Sequence, residues 1–318
     1  MTPAQERAAK EAAWRKAYNA VLKDRAALLG ATNTEVQRLL TVALAEVKTA
    51  LASAPSEYQA WYLPQLQAEI EKTLATMGNQ AAGVVSGSAD KAWQLGIDTL
   101  DKPIAAAGLR LSGVMPHLDT QQLLAMRNFM TDRIRNVGDK VRSQIGSELG
   151  LTMIGARPMS DTITRVQEIM GGEARRRATT IVRTELGRTY SMAAHERARQ
   201  AEEAGAPMDK VWRRSGKLRP RIEHAVVDGI RVAADAPFHV NGHLMMHPHD
   251  PTAPASETIN CGCVVLYRPR GWAQTMPDHK PFTEHELSLS PKLVGIEEAR
   301  QTGKSIHAVT PAKRPPRL

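Results

Sequence analysis

Cysteine is nearly absent from this 318-residue chain, which has only Cys261 and Cys263. Two cysteines cannot build the disulfide framework of a small secreted domain. Separated by one residue, they would make a strained bridge, so a reduced thiol pair or a metal site is expected. Aromatic residues are scarce too, at 4%. Alanine therefore carries much of the 42% hydrophobic content, which favours long, thinly packed helices over one thick core. No stretch reaches the roughly 18 apolar residues of a membrane span. Met1-Thr2-Pro3-Ala4-Gln5-Glu6 lacks the basic-then-apolar pattern of a secretion signal. The chain is expected to be made in the cytoplasm and not to span a membrane. Acidic excess is missing as well, and the net charge of +9 suits an acidic partner, most commonly nucleic acid. Solubility through surface charge is the plain alternative.

Several catalytic patterns are also missing. Thr302-Gly303-Lys304-Ser305 has Glu298 where a phosphate loop needs glycine. His195-Glu196 is followed by Arg199 where a metalloprotease helix needs histidine, and there is no Gly-x-Ser-x-Gly. The chain is expected not to be an enzyme.

What is present divides at about residue 206. Before it the apolar spacing is helical. Ala4–Ala52 reads as helix with a break or cap at Gly30, and Ser53-Ala54-Pro55-Ser56 as a turn. A helix capped by Ser56 carries Trp61, Tyr62, Leu66, Ile70 and Leu74; the pattern loosens from Gly78 to Gly87, and a further helix ends before Pro103. Asp119 or Thr120 caps the clearest helix, whose stripe runs Leu123, Met126, Met130, Ile134, Val137, Val141, Ile145 and Leu149. That stripe reads as internal core, with a docking face for a partner as the alternative. Ser160 is expected to cap a short helix that Gly171-Gly172 ends, and Glu173–Ala204 forms a long one closed by Gly205-Ala206-Pro207.

After Pro207 short β-branched runs appear, at 210–214, 224–227, 230–232 and 263–267, separated by Asp228-Gly229 and Asn241-Gly242. The expected class is α+β: an elongated, mostly helical N-terminal region, then a small β-rich module and a flexible basic tail. The expected boundaries are a helical region 1–117, a long-helix region 118–205, the module 206–275 and an extended tail 276–318. Lys304 to Leu318 has three prolines and no acid.

Chemistry-bearing residues crowd into the module. His224, Cys261 and Cys263 have the ligand types zinc prefers. The fourth position is open among Asp250, His249, His247 and a water, with Asp250 taken as the candidate. The alternative is a pair of buried thiols that simply pack. Such a metal would close a domain short of apolar core. Arg213, Arg214, Lys217, Arg219 and Arg221 form a basic run without an acid, suited to a nucleic-acid backbone or to pairing with acids nearby. Arg183 and Glu185 are expected to form an ion pair linking the long helix to the module, and Trp212 sits in the basic run as a structural residue. His224, Asn241 and His247 or His249 follow the order of His-Asn-His metal-dependent nucleases, but Pro248, Pro251 and Pro254 argue against the helix that chemistry requires.

Taken in order, Ala178-Thr179-Thr180-Ile181-Val182-Arg183-Thr184-Glu185, Trp212, Arg219-x-Arg221-x-x-His224, Asp228-Gly229, Phe238, Pro248-x-Asp250-Pro251 and Asn260-Cys261-Gly262-Cys263 resemble the phage head-morphogenesis family of the Mu protein F and SPP1 minor-head type. Lys217 stands where that family often has an acid, and Gly262 where it often has arginine. The resemblance implies a minor virion protein at the portal and capsid interior, supporting head assembly and DNA packaging or ejection. Its implied partners are the portal protein, the major capsid protein or scaffold, and packaged double-stranded DNA. A DNA-binding module proper is the alternative from a different class.

Overall fold

The computed structural model describes residues 2–53, 62–109, 117–118, 120–272 and 278–302. The expected turn at 53–56 with its Ser56 cap, Trp61, the Asp119 cap and the basic segment from Lys304 fall wholly or largely outside them. Long helices come first: α1 (Pro3–Ala52), α2 (Leu63–Ala106), α3 (Thr120–Met153), α4 (Met159–Glu168), a π-helical turn (Ile169–Ala174) and α5 (Arg175–Glu203). Then follow β1 (Met208–Arg213), α6 (Ile222–Val226), β2 (Arg231–Ala233), β3 (Phe238–Val240), β4 (His243–Met245), α7 (Ala255–Thr258), β5 (Val264–Pro269), α8 (Glu284–Leu289) and α9 (Pro291–Thr302). No helix among the described residues is long and apolar enough to cross a membrane.

The chain forms two compact units, and their borders are not those expected from the sequence. A helical unit comprises Val21–Leu95 and Asp119–Thr189. Its core is the α3 stripe, buried from Met130 through Leu149, against Leu40, Val47, Leu51, Leu66, Ile70 and Leu74 of α1 and α2. Val166, Ile169, Val182 and Leu186 complete it. The stripe is therefore internal core. Each such aliphatic side chain contributes about 1.5–3 kcal/mol by leaving water.

Three expected helix breaks are absent. α1 runs through Gly30, because one glycine costs only about 1 kcal/mol in a helix. The Thr32 hydroxyl two residues on donates to the Leu28 carbonyl at 2.8 Å and ties α1 to Ser88 of α2. α2 runs through Gly78–Gly87, where Ala81, Ala82 and Ala89 bury a face without bulk, and it carries Pro103 one turn from its end. Gly171 and Gly172 lie inside the π-helical turn, which passes into α5 instead of ending α4. Pro158, not Ser160, occupies the N-cap position of α4.

The mixed unit comprises Met1–Ala20, Gly96–Leu118 and Tyr190–Leu318. Its antiparallel sheet has the order β2-β1-β5, with Lys210 opposite Val232 and Tyr267. Trp212, Val265, Tyr267 and Met208 pack with Phe238, Leu100, Ile104, Ala194, Ala198 and Trp14. The Tyr18 hydroxyl donates to the Val265 carbonyl at 2.5 Å, and Trp14 meets Trp272 edge-on at 5.2 Å. β3 and β4 form a hairpin across Asn241 (φ 51) and Gly242 (φ 80), the left-handed pair that a two-residue turn requires.

The run 224–227, expected as strand, is helix α6 because Ile222, Ala225 and Val226 pack on Leu293 and Ile296 of α9. The expected extended tail is likewise wrong for its described part. Residues 278–302 fold back, with Leu293 and Ile296 fully buried and Thr283 and Glu286 making a capping box for α8.

Two glycines in helices predict opposite outcomes. A Cβ at Gly96 would stand 2.6 Å from both Ala193 Cβ and the Tyr190 carbonyl oxygen, whereas one at Gly30 meets nothing within 4 Å. Gly96→Ala is expected to destabilise by about 1–3 kcal/mol and Gly30→Ala to stabilise by about 0.5–1 kcal/mol, read as urea midpoints. Equal and opposite behaviour, with Gly96→Ala the more stable, would contradict the close approach of α2 and α5 at that point.

Candidate metal centre

Three short elements converge on one point. α6 presents His224, the loop after α7 presents Cys261, and Cys263 leads into β5. Trp212 of β1 lies beneath them, fully buried, with its ring edge-on to the His224 imidazole at 5.4 Å and to Phe238 at 5.3 Å. Asn260, at φ 55, supplies the turn that brings Cys261 round. His224, Cys261 and Cys263 are 2%, 5% and 3% exposed, and one ligand atom from each lies within 4.8 Å of the others.

His224 Nδ1 is 3.5 Å from each sulfur. Its Nε2 lies 3.0 Å from Glu257 Oε2, and a carboxylate can only accept, so Nε2 carries a proton and Nδ1 is the nitrogen that faces the sulfurs. Asn241 Nδ2 donates to Glu257 Oε1 at 2.8 Å and Ser256 to the same oxygen at 3.2 Å. Burial opposes the charge on Glu257, but those bonds from Asn241 and His224 outweigh it and lower its pKa. Burial likewise opposes an imidazolium at His224, and the Cys261 thiolate and Glu257 outweigh it, raising the pKa. The thiol of Cys263 donates to Cys261, so Cys261 is held well below the usual thiol range, while that bond and burial push Cys263 well above it.

The other candidate ligands stand apart. Asp250 Oδ1 accepts from the Thr252 amide and hydroxyl, and Oδ2 accepts from the Met246 amide at 2.7 Å. Its carboxylate closes its own turn and does not join the cluster, which corrects the expectation of Asp250 as fourth ligand. His247 bonds the Pro248 carbonyl, and its ring lies tilted at 49° and 5.3 Å from that of His195, whose pKa burial pushes down to about 3. His249 is buried and near enough to favour the Cys261 thiolate, yet outside the group of donor atoms. Both nitrogens of His224 are engaged, and His247 and His249 lie in turns between β4 and α7, not on a helix.

A cleft of about 260 Å³ opens over the cluster, lined by Ser215, Lys217, Arg219 and Arg221 as well as the three donors. Gly262 forms part of its wall. A Cβ there would stand 2.8 Å from Ser215 Cβ and 3.4 Å from Lys217 Cε, so the two positions that depart from the family pattern are neighbours. Lys217 bonds the Asn260 carbonyl and Arg221 the Ile259 carbonyl at 2.6 Å, leaving Arg219 exposed.

Arg213 is partly exposed on β1 and does not line the cleft. Arg214, also expected at a phosphate backbone, is buried instead. It donates to Glu286 Oε1 and Oε2 at 2.6 and 3.1 Å and to the carbonyls of Ser215, Lys280 and Pro281, and its guanidinium lies 4.1 Å from the Phe282 ring centroid. Arg183 is exposed and Glu185 does not pair with it. Glu185 takes Arg188 at 2.7 Å and Arg133 of α3 at 3.2 Å, so it ties helices within the helical unit. Glu257 and Glu286 were the residues sequence reasoning missed.

A family model, Phage Mu protein F like protein, matches residues 145–266. Among curated proteins, the chain is 33% identical over 91 residues to "NAD(+)--arginine ADP-ribosyltransferase EFV" of Enterococcus faecalis (strain ATCC 700802 / V583), a match over 29% of this chain and 18% of that protein. No solved structure matches. The stretch that supplies His224, Glu257, Cys261 and Cys263 thus lies inside the region similar to the Phage Mu protein F like model.

Proposed function

We propose that this chain is a minor structural protein of a tailed-phage virion, stationed at the portal and capsid interior, and acting as scaffold rather than catalyst in head assembly and DNA packaging or ejection. The observation that carries the reading is the coincidence of the Mu protein F-like match with the stretch that folds around the buried His224–Cys261–Cys263 cluster. Its partners are the portal protein and the major capsid protein or scaffold. The transferase activity in the relative's name belongs to a protein of which this chain matches under a fifth, and it is not carried over. Co-sedimentation with purified portal tests the assignment. Association at micromolar concentration is expected, and its absence with correctly folded protein would remove the portal from the reading.

A second reading, contact with the packaged DNA, is favoured by Lys217, Arg219 and Arg221 lining one cleft. Backbone contact releases counterions, each phosphate neutralised steepening the salt dependence by about 0.9 in log–log slope. Replacing the three by alanine is expected to reduce the slope by about 2–3, whereas Arg214→Met leaves it unchanged because Arg214 does not reach solvent. Filter binding across a salt series measures both, and an unaltered slope in the triple variant would end this reading.

A further inference from the structure

We propose that His224 Nδ1, Cys261 Sγ and Cys263 Sγ bind one divalent ion of the zinc class, whose fourth position opens on the basic cleft and accepts a phosphate oxygen. The inference stands on the cluster and the cleft, not on portal docking.

The distances carry the first step. Zinc bonds of about 2.3 Å to sulfur and 2.0–2.1 Å to nitrogen at a tetrahedral angle separate the two ligand atoms by about 3.5 Å. Both sulfurs stand at 3.5 Å from Nδ1. The alternative is hydrogen bonding alone, with an imidazolium Nδ1–H shared between the sulfurs, which does not require the two distances to be equal. An ion between the three accounts for both. Both sulfurs bind as thiolates, so loading releases thiol protons to solvent.

Outer contacts point the same way. Metal-bound imidazoles usually donate their second nitrogen to a carboxylate, which fixes tautomer and ring angle. Glu257 holds that position, and Asn241 and Ser256 in turn fix Glu257. Glu257 is 2% exposed, an expensive place for a carboxylate without such work. It is a positioning residue, acting through His224.

The fourth ligand decides what the centre does. Closed structural sites carry four protein ligands, whereas three protein ligands leave an exchangeable position. Among the described residues no fourth His, Cys, Asp or Glu joins the group. Asp250 is used within its turn and His247 lies against His195. The open side is the cleft, walled by Lys217, Arg219 and Arg221. Cationic walls around a cation favour an anionic oxygen donor over a neutral one. Phosphate has that chemistry, whether as the free anion or in a nucleic-acid backbone.

The test uses the full chain stripped with a chelator and titrated with Co2+, which reports thiolate ligation and coordination number in its visible spectrum. Saturation at one equivalent with a thiolate charge-transfer band is expected. Cys261→Ser should lose the band. Because that variant risks misfolding, Glu257→Gln supplies an independent arm, keeping the band while weakening Co2+ binding about 10- to 100-fold. Addition of inorganic phosphate should change the d–d bands, and Arg219→Ala should blunt that response without altering the stoichiometry. An unphosphorylated duplex distinguishes the two sources. The same change assigns the position to backbone phosphate, and a response to inorganic phosphate alone assigns it to the free anion. Saturation away from one equivalent, or a spectrum indifferent to both, overturns the proposal.

Discussion

Arg214→Ala is expected to lower the stability of the protein by about 3–5 kcal/mol, the usual range when one partner of a buried ion pair is deleted. The guanidinium is fully buried between Glu286 and Asp228 and also serves three carbonyls, so its removal strands two carboxylates and several acceptors at once. Phe282 loses the cation over its ring as well. Equilibrium denaturation measures the loss. Pairing Arg214→Met with Glu286→Leu should recover part of it, because one of the two stranded carboxylates goes while Asp228 stays buried with the amides of residue 214 and Lys280. A single variant costing under 1 kcal/mol would show that the pair is solvated.

The same pair sets a pH dependence with a definite sign. Although burial works against the charge, Arg214 and the Thr283 amide hold Glu286 down to about 2 from an ordinary 4.5. A lowered carboxyl contributes stability that is complete above its unfolded value and is lost as pH falls from about 4.5 towards 2. Asp228 acts in the other direction. Burial raises its pKa despite the amides of Arg214 and Lys280, so its charged form is the one the fold disfavours. Between about pH 4.5 and 2 the wild type should therefore lose stability more steeply than the Glu286→Gln variant, which lacks the titrating carboxyl. The acid limbs of the two curves should converge near pH 2.

Trp212→Ala carries the second large effect, about 3–5 kcal/mol. The indole is fully buried in the mixed-unit core, and its edge-on contacts to His224 and Phe238 place it under the donor cluster. Loss of the floor should loosen His224 as well as the core. Trp212→Phe keeps an aromatic edge and is expected to cost roughly half as much. Thermal unfolding ranks the variants, and a mild alanine variant would mean that the sheet repacks without it.

The cluster was legible because soft ligands are rare here. With only two cysteines in the chain, their spacing and a nearby histidine single out one place. Glu257 was not legible, since nothing about a glutamate shortly after a proline-rich stretch announces a bond to an imidazole 33 residues earlier. Arg214 misled for the same reason. Its neighbours along the chain are basic, and the acid that buries it comes from α8, 72 residues on. Glycine misleads in the helices: Gly30 reads as a break or cap, Gly78–Gly87 as a loosening and Gly171 as a stop, but tertiary packing overrides a cost of about 1 kcal/mol apiece. The run 224–227 reads as strand because Val226 and Val227 are β-branched, and what makes it helical is a surface on α9. Periodic spacing served best where one helix buries one continuous face, as α3 does.

The hydroxyl of Tyr18 and the carbonyl of Val265 are separated by 247 positions. At ribosomal speeds of about 5–20 residues per second, the earlier partner waits on the order of tens of seconds before the later one exists. During that interval Trp14 and Tyr18 have no sheet to cover, while the helices threaded between them are already complete in sequence. The mixed unit therefore cannot close until well after the residues of the helical unit are made, and deletions that remove Trp14 and Tyr18 should reveal themselves around the thiols.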